Sequence, residues 1–451
     1  MSTRAALVLL AVLGACKGGE RPGELTREQL LNPETCRECH PAHVEEWEGS
    51  MHAYAAEDPV FRAMNARGQR ETGGALGDFC VQCHAPVAVA LGLTGDGLDL
   101  DALPREVRGV TCYFCHQVDA VEGTHNNPLR LAFDDIMRGG FADAAPGAPH
   151  GVARSPLHDR DDLRSADLCG SCHDIVNPLG THIERTYTEW QDSVYAHEGP
   201  SKLTCAECHM RGRDGVAAEG VDGVPLRRVH DHSMAGVDLA LTDWPHRDRQ
   251  RELVQTALDT TLLANLCVDA SADRTFARVL LENVSAGHMF PSGASSDRRL
   301  WVELVATDAE GAVIWSTGVV EDGQPVTSLD DPNLWLLRDE HFGEDGEPVH
   351  MFWETAEVRS TLVPPPVTND PSDPRYRHYV DRVFTIDGEP ARVTLRVRLR
   401  PIGLDVLDDL VATGDLDPSI RDAVPTFDLG STVLEWTPEV PRDDGSFACV
   451  P

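Results

Sequence analysis

The chain has 451 residues, enough for two or three domains with conventional cores, and 41% of them are hydrophobic. Acidic residues outnumber basic ones 74 to 39, giving a formal net charge of -35, and Lys17 and Lys202 are the only lysines. So acidic a surface argues against nucleic acid or an anionic membrane face as partner; it would steer a basic docking face on a protein partner, an encounter slowed by salt.

At the N-terminus, Arg4 precedes an almost wholly apolar run from Ala5 to Ala15, and Cys16 follows. That run is too short to span a bilayer and reads as an export signal. Leu13-Gly14-Ala15-Cys16 resembles a bacterial lipoprotein box; a simple cleaved signal is the plainer alternative. Residues 1–16 are therefore expected to be a signal peptide with a lipobox, and 17–31 a linker. No later stretch is apolar enough to span a membrane, so anchoring would rest on a lipid at Cys16. The expected location is the periplasm or the cell surface, on a bacterial membrane.

Ten of the 13 cysteines fall in five copies of C-x-x-C-H, far beyond chance. They are Cys36/Cys39/His40, Cys80/Cys83/His84, Cys112/Cys115/His116, Cys169/Cys172/His173 and Cys205/Cys208/His209. Two thiols at this spacing add across the two vinyl groups of a haem, and the adjacent histidine ligates the iron from below. Five covalently attached haems c are expected. Zinc sites give no reason for a histidine after every pair, and a thioredoxin-type dithiol would occur once.

Each iron has a sixth position, and repetition nominates its ligands. His125 and His182 each lie nine residues after a motif histidine and each follows Gly-Thr, as a duplicated haem module would. A second repeat pairs Glu46-Trp47-Glu48-Gly49-Ser50-Met51-His52-Ala53 with Glu189-Trp190-Gln191-Asp192-Ser193-Val194-Tyr195-Ala196. Both copies read as helices, the first weakened by Gly49. A helix from His40 to His52 separates the two by about 18 Å, so His52 should reach another haem. Tyr195 occupies the matching place, either as packing against a porphyrin or at an open haem; His197 is a substitute pointing off the same face. His232 and His288 complete five distal candidates with His52, His125 and His182. Met51, Met234 and Met289 lie close to candidates, where a thioether ligand would raise the potential; core filler is the plainer reading.

From about residue 275 the pattern alternates at period two, over 275–284, 300–307, 312–316 and 391–399, with Asp/Gly turns between. These are expected strands of an antiparallel sandwich, with a helix near Leu404–Thr413 and long acidic loops over 320–380. A projecting Gly-His-Met-Phe-Pro-Ser-Gly loop would lend His288 to the haem half. Cys267 and Cys449 form either a disulfide or two buried thiols. The expected architecture is a mainly α or irregular pentahaem cytochrome domain over 32–245, a connecting helix or linker over 246–274, and a mainly β, sandwich-like domain over 275–451.

The order of C-x-x-C-H, Trp-x-x-Ser-x-His-Ala and a closing Cys205-Ala206-Glu207-Cys208-His209-Met210 resembles a multihaem superfamily. Its members include hydroxylamine oxidoreductase, pentahaem nitrite reductase and their tetrahaem electron-carrier relative. The resemblance covers roughly residues 32–240, and the stretch from Phe276 resembles the C-terminal region of exported cytochromes in that superfamily. It implies mostly bis-histidine haems stacked in pairs along a wire. No motif here carries the lysine typical of the nitrite reductase catalytic haem, and nothing in the sequence establishes the tyrosine crosslink of hydroxylamine oxidoreductase. The expected function is electron relay between redox proteins; the alternative is an oxidoreductase whose one open haem acts on a small nitrogen or sulfur compound.

Overall fold

The structure, a computed structural model, describes residues 24–143, 145, 148–271, 274–441 and 448–450; the expected signal and lipobox, Cys16 included, lie outside them. Short helices and two-stranded ribbons build residues 24–229, and Pro59–Glu71 is the longest helix there. Capping explains why these helices are short. Asn32, Asp58, Thr111 and Thr204 each accept a backbone N–H at a helix start, so polar punctuation recurs every few turns.

The single helix expected across the first tryptophan repeat is two. Pro41–Glu48 ends at Gly49, and Ser50 is extended (φ -91°, ψ 159°) with its side chain accepting from Ala53 N to start Met51–Tyr54. The second copy breaks at the same place: Thr186–Gln191 is followed by the capping Ser193 and a short 3-10 turn, Val194–Ala196. A serine oxygen offers the chain a new N-cap, and the helix changes direction rather than continuing.

After the helix Arg247–Leu258 the chain enters two antiparallel sheets. The first strand, Leu262–Ser271, lies inside the stretch expected to be helix or linker; Leu262, Ala264, Leu266 and Val268 point inward at period two. It pairs on one side with Arg274–Asn283, which pairs in turn with Tyr379–Ile386, and on the other with Ala448–Val450. The second sheet centres on Arg299–Thr307 and Arg392–Arg400, flanked by Val313–Thr317, Trp335–Leu337, Phe427–Asp428 and Leu434–Trp436. In Arg392–Arg400, Val393, Leu395, Val397 and Leu399 are fully buried, while Arg392, Thr394, Arg396 and Arg398 face outward. One core combines Leu266, Val279 and Phe384 from the first sheet with Leu300, Val302 and Val397 from the second, the expected sandwich. Cys267 and Cys449 are register partners on adjacent strands and form a disulfide.

The two halves share a second core. The helix Leu404–Ala412 packs with Val60 and Met64 of Pro59–Glu71 and with Met351 and Trp353. Gly68 is needed there: a Cβ would stand 2.5 Å from Leu76 and 2.9 Å from Trp353. Arg67–Asp409 (3.0 Å) and Arg70–Asp415 (2.5 Å) close the rim. No described helix is long and apolar enough to cross a membrane.

Candidate cofactor site

The ten motif cysteines and five motif histidines all line one connected cavity of about 1240 Å³ between the halves. That exceeds an ordinary small-molecule pocket. Local folding aims the residues. In motifs three and five a threonine cap starts a helical turn at the first cysteine, and residues i, i+3 and i+4 of a helix share a face. Four motif histidines have their outer nitrogen on a backbone carbonyl: His40 Nδ1 donates to Ala217 O (2.6 Å), His84 to Ala55 O (2.9 Å), His209 to Ala235 O (3.0 Å) and His116 to Arg138 O. This fixes the tautomer and leaves Nε2 as a lone-pair donor into the cavity.

Four of the five face another histidine. Ring centroids are 6.4 Å apart for His40 and His150, 6.2 Å for His173 and His52, 6.5 Å for His116 and His232, and 6.4 Å for His209 and His288; His158 also stacks on His116 at 5.5 Å, with its Nε2 turned to Cys115 O. Two imidazoles sharing one metal, each with a metal–nitrogen bond of about 2 Å, put their centroids about 6 Å apart. Burial, with neighbouring histidines adding to it, holds His52 at about 4 and His232 well below its ordinary value, and burial likewise takes His288 to about 4. The imidazoles are neutral, as ligands must be. Among the described residues no cluster of three or more His, Cys, Asp or Glu is arranged to hold a bare metal ion. Thiol pairs around a cavity, with neutral histidines facing one another across it, fit a bulky thioether-linked haem instead.

Of the distal candidates, the structure brings His52, His232 and His288 opposite motif histidines. His125 and His182 do not line the cavity. His125 is exposed beside Thr124 Oγ1 (3.0 Å), and His182 Nε2 meets Asp174. Their two segments meet each other, since Asn126 exchanges hydrogen bonds with the Val176 backbone. His150, which sequence reasoning did not single out, faces His40 from a loop; its Nδ1 donates to Gly151 O (2.9 Å). Met234 Sδ lies 2.9 Å from His52 Nδ1, beside the imidazole rather than across from a motif.

His84 differs: among the described residues no histidine ring faces it, and Phe61 stacks on it at 3.9 Å with planes 4° apart. Tyr195 lies elsewhere. It packs on Gly287, next to His288, so it sits by the fifth motif, where His209 already has a facing histidine. Side-chain contacts also join Cys36 to Cys112, Cys83 to Cys172 and Cys169 to Cys205. Motif four thus touches motif two with one cysteine and motif five with the other.

Three acids, Asp297 buried and Asp58 and Glu184 half-buried, line the same cavity. Burial pushes Asp58 up to about 6 and Asp297 and Glu184 to about 7. Arg298, 7% exposed, forks onto Asp238 at 2.8 and 2.9 Å.

Residues 35–117 match the family profile described as cytochrome c554 and c-prime. The fold is similar to that of a penta-heme cytochrome c552 from Thermochromatium tepidum, with a TM-score of 0.60 at 21% identity, over 92% of this chain and 99% of that one. No curated protein sequence matches. The family match and the shared fold, joined to the five C-x-x-C-H motifs, support this chain as a multihaem c-type cytochrome.

Proposed function

We propose that the chain is an exported pentahaem cytochrome that relays electrons between redox proteins. The observation that carries this is the cavity itself: all five motifs line it, and four motif histidines each face a second histidine at 6.2 to 6.5 Å. Haems bonded at those cysteines supply one-electron chemistry. The chain supplies the ligands, the low-dielectric surround and short gaps between centres. A neutral histidine on each side stabilises the oxidised iron relative to methionine ligation, so low potentials follow. The contacts of motif one with motif three, and of motif four with motifs two and five, support short gaps between neighbouring haems.

The apolar run and lipobox support export and anchoring through Cys16, and the net charge of -35 supports a basic docking face on the partner. Pyridine haemochrome titration against protein mass should give five haems per chain; fewer would overturn the count. A second reading rests on His84. Among the described residues no histidine ring faces it, so a haem held there would lack a second histidine and would be the one suited to bind a small molecule. Electron paramagnetic resonance of the oxidised protein should then show one high-spin haem that added cyanide converts to low spin. An all-low-spin spectrum would eliminate the open site.

A further inference from the structure

The two tryptophan repeats make the same three hydrogen bonds at matching positions. In the first, Trp47 Nε1 donates to Val110 O (2.8 Å), Val110 N donates to His52 O (2.9 Å), and Ser50 Oγ donates to Trp47 O (2.7 Å). In the second, Trp190 Nε1 donates to Leu203 O (2.9 Å), Leu203 N to Tyr195 O (3.1 Å), and Ser193 Oγ to Trp190 O (2.7 Å). Val110 and Leu203 each stand two residues before the first cysteine of a motif, the third and the fifth.

The glutamate beside each tryptophan reaches the other side of the same motif's histidine. Glu46 Oε2 accepts the backbone N–H of His232 (3.1 Å), one of two histidines beside His116 of motif three; the other, His158, has its Nε2 on Cys115 O (2.7 Å). Glu189 Oε2 accepts Met289 N (3.2 Å) and Ser292 Oγ (2.6 Å), on the loop whose His288 faces His209 of motif five. Glu189 is 8% exposed. His232 and His288 come from segments far along the chain with no regular secondary structure around them, so something has to hold each ring in place.

We infer that Glu46-Trp47 and Glu189-Trp190 are duplicated positioning pairs, each setting both axial sides of one haem: the tryptophan fixes the motif strand, and the glutamate fixes the distal histidine. Glu46 serves the His116–His232 pair and Glu189 the His209–His288 pair. A carboxylate bonded to a backbone N–H, half-buried at Glu46 (which also pairs with Arg213 at 3.2 Å) and buried at Glu189, is strong enough to do this, because charge-assisted hydrogen bonds are roughly twice as strong as neutral ones. The inference rests on the histidine pairs being axial ligands.

The test counts high-spin haems by electron paramagnetic resonance in full-length holoprotein with its haem stoichiometry verified. Glu46→Ala and Glu189→Ala should each add one high-spin haem. Gln at either position should restore the parent count, since its amide oxygen accepts the same N–H groups. Glu46→Ala with His232→Ala should add one high-spin haem, whereas Glu46→Ala with His288→Ala should add two. Alanine variants with the parent spectrum, glutamine variants that fail to rescue, or Glu46→Ala with His232→Ala adding two would each overturn the inference. Should the alanine chains not accumulate, Glu→Asp, a carboxylate one methylene short, is read the same way. If His232→Ala and His288→Ala alone stay at the parent count, the axial pairing itself is refuted, separately from the glutamates.

Discussion

The Arg299 side chain is fully buried, and its guanidinium forks onto Asp405 with Nε–Oδ1 at 3.1 Å and Nη2–Oδ2 at 2.6 Å. Its remaining partners are two backbone carbonyls, Ser296 O and Arg298 O. This fork ties the second sheet to the helix Leu404–Ala412, which in turn carries the joint between the halves. Asp405→Ala takes away the carboxylate that pairs with a fully buried guanidinium, a class of change that costs about 3–5 kcal/mol. Asp405 retains 16% side-chain exposure, which places the expected loss at the lower end, about 3 kcal/mol. Arg299→Met with Asp405→Leu removes both charges together and should lose much less than Asp405→Ala alone. Denaturation midpoints followed by circular dichroism at pH 7 measure this. A loss under about 1 kcal/mol for Asp405→Ala, or a double variant no more stable than that single one, would refute the assignment. The pH sign is also set. Burial raises the Asp405 carboxyl, but Arg299 outweighs it and holds it below the ordinary value. The pair's stabilisation is therefore present above the unfolded carboxyl range and fades as pH falls through the folded value.

Three further outcomes follow from other parts of the molecule. His150→Ala should convert the first-motif haem to high spin and leave the total haem content unchanged; an unaltered spectrum would remove His150 as a ligand. Cys267→Ser should lower stability by about 2–4 kcal/mol, because its bridge to Cys449 closes a separation of 182 residues; an unchanged denaturation midpoint counts against this. Asp297 is raised to about 7 by burial, so the folded chain binds more protons than the unfolded one between about pH 4 and 7, and stability falls as pH rises through that window. Asp297→Asn should flatten the decline in melting temperature between pH 5 and pH 8, and a slope equal to the parent's would dismiss that role.

The attachment residues were legible because covalent chemistry forces them next to one another: Cys169, Cys172 and His173 announce themselves within five positions. Facing ligands obey no such rule. His150 lies 110 positions after His40 in a stretch of alanine, proline and glycine that repeats nowhere, and only the folded chain brings it across. His52 was readable through its tryptophan repeat, yet its partner, His173, was not. The Gly-Thr-His repeat drew notice for His125 and His182, and the duplicated surface there is a mutual loop contact through Asn126 and Val176. In the second half, alternation exposed Arg274–Asn283 and Arg392–Arg400, since one buried face imprints period two. Leu262–Ser271 was harder to see: only a three-residue turn, Asp259 to Thr261, parts it from the preceding helix, too brief to mark where the period changes.

The wall of the cavity is discontinuous in chain order, and this dictates a sequence of assembly. Every attachment cysteine lies between Cys36 and Cys208, whereas Gly287, His288, Arg298, Trp353 and Ile402, which complete the enclosure, all come later. A rigid macrocycle is more readily bonded at two thiols before those later residues partly cover the cavity. Ligation to the cysteines is therefore expected before the sandwich docks, on a half-built bowl still fully accessible. A chain truncated before Leu262 should remain a substrate for haem attachment, and the sandwich acts as the late cover that seals what has already been installed.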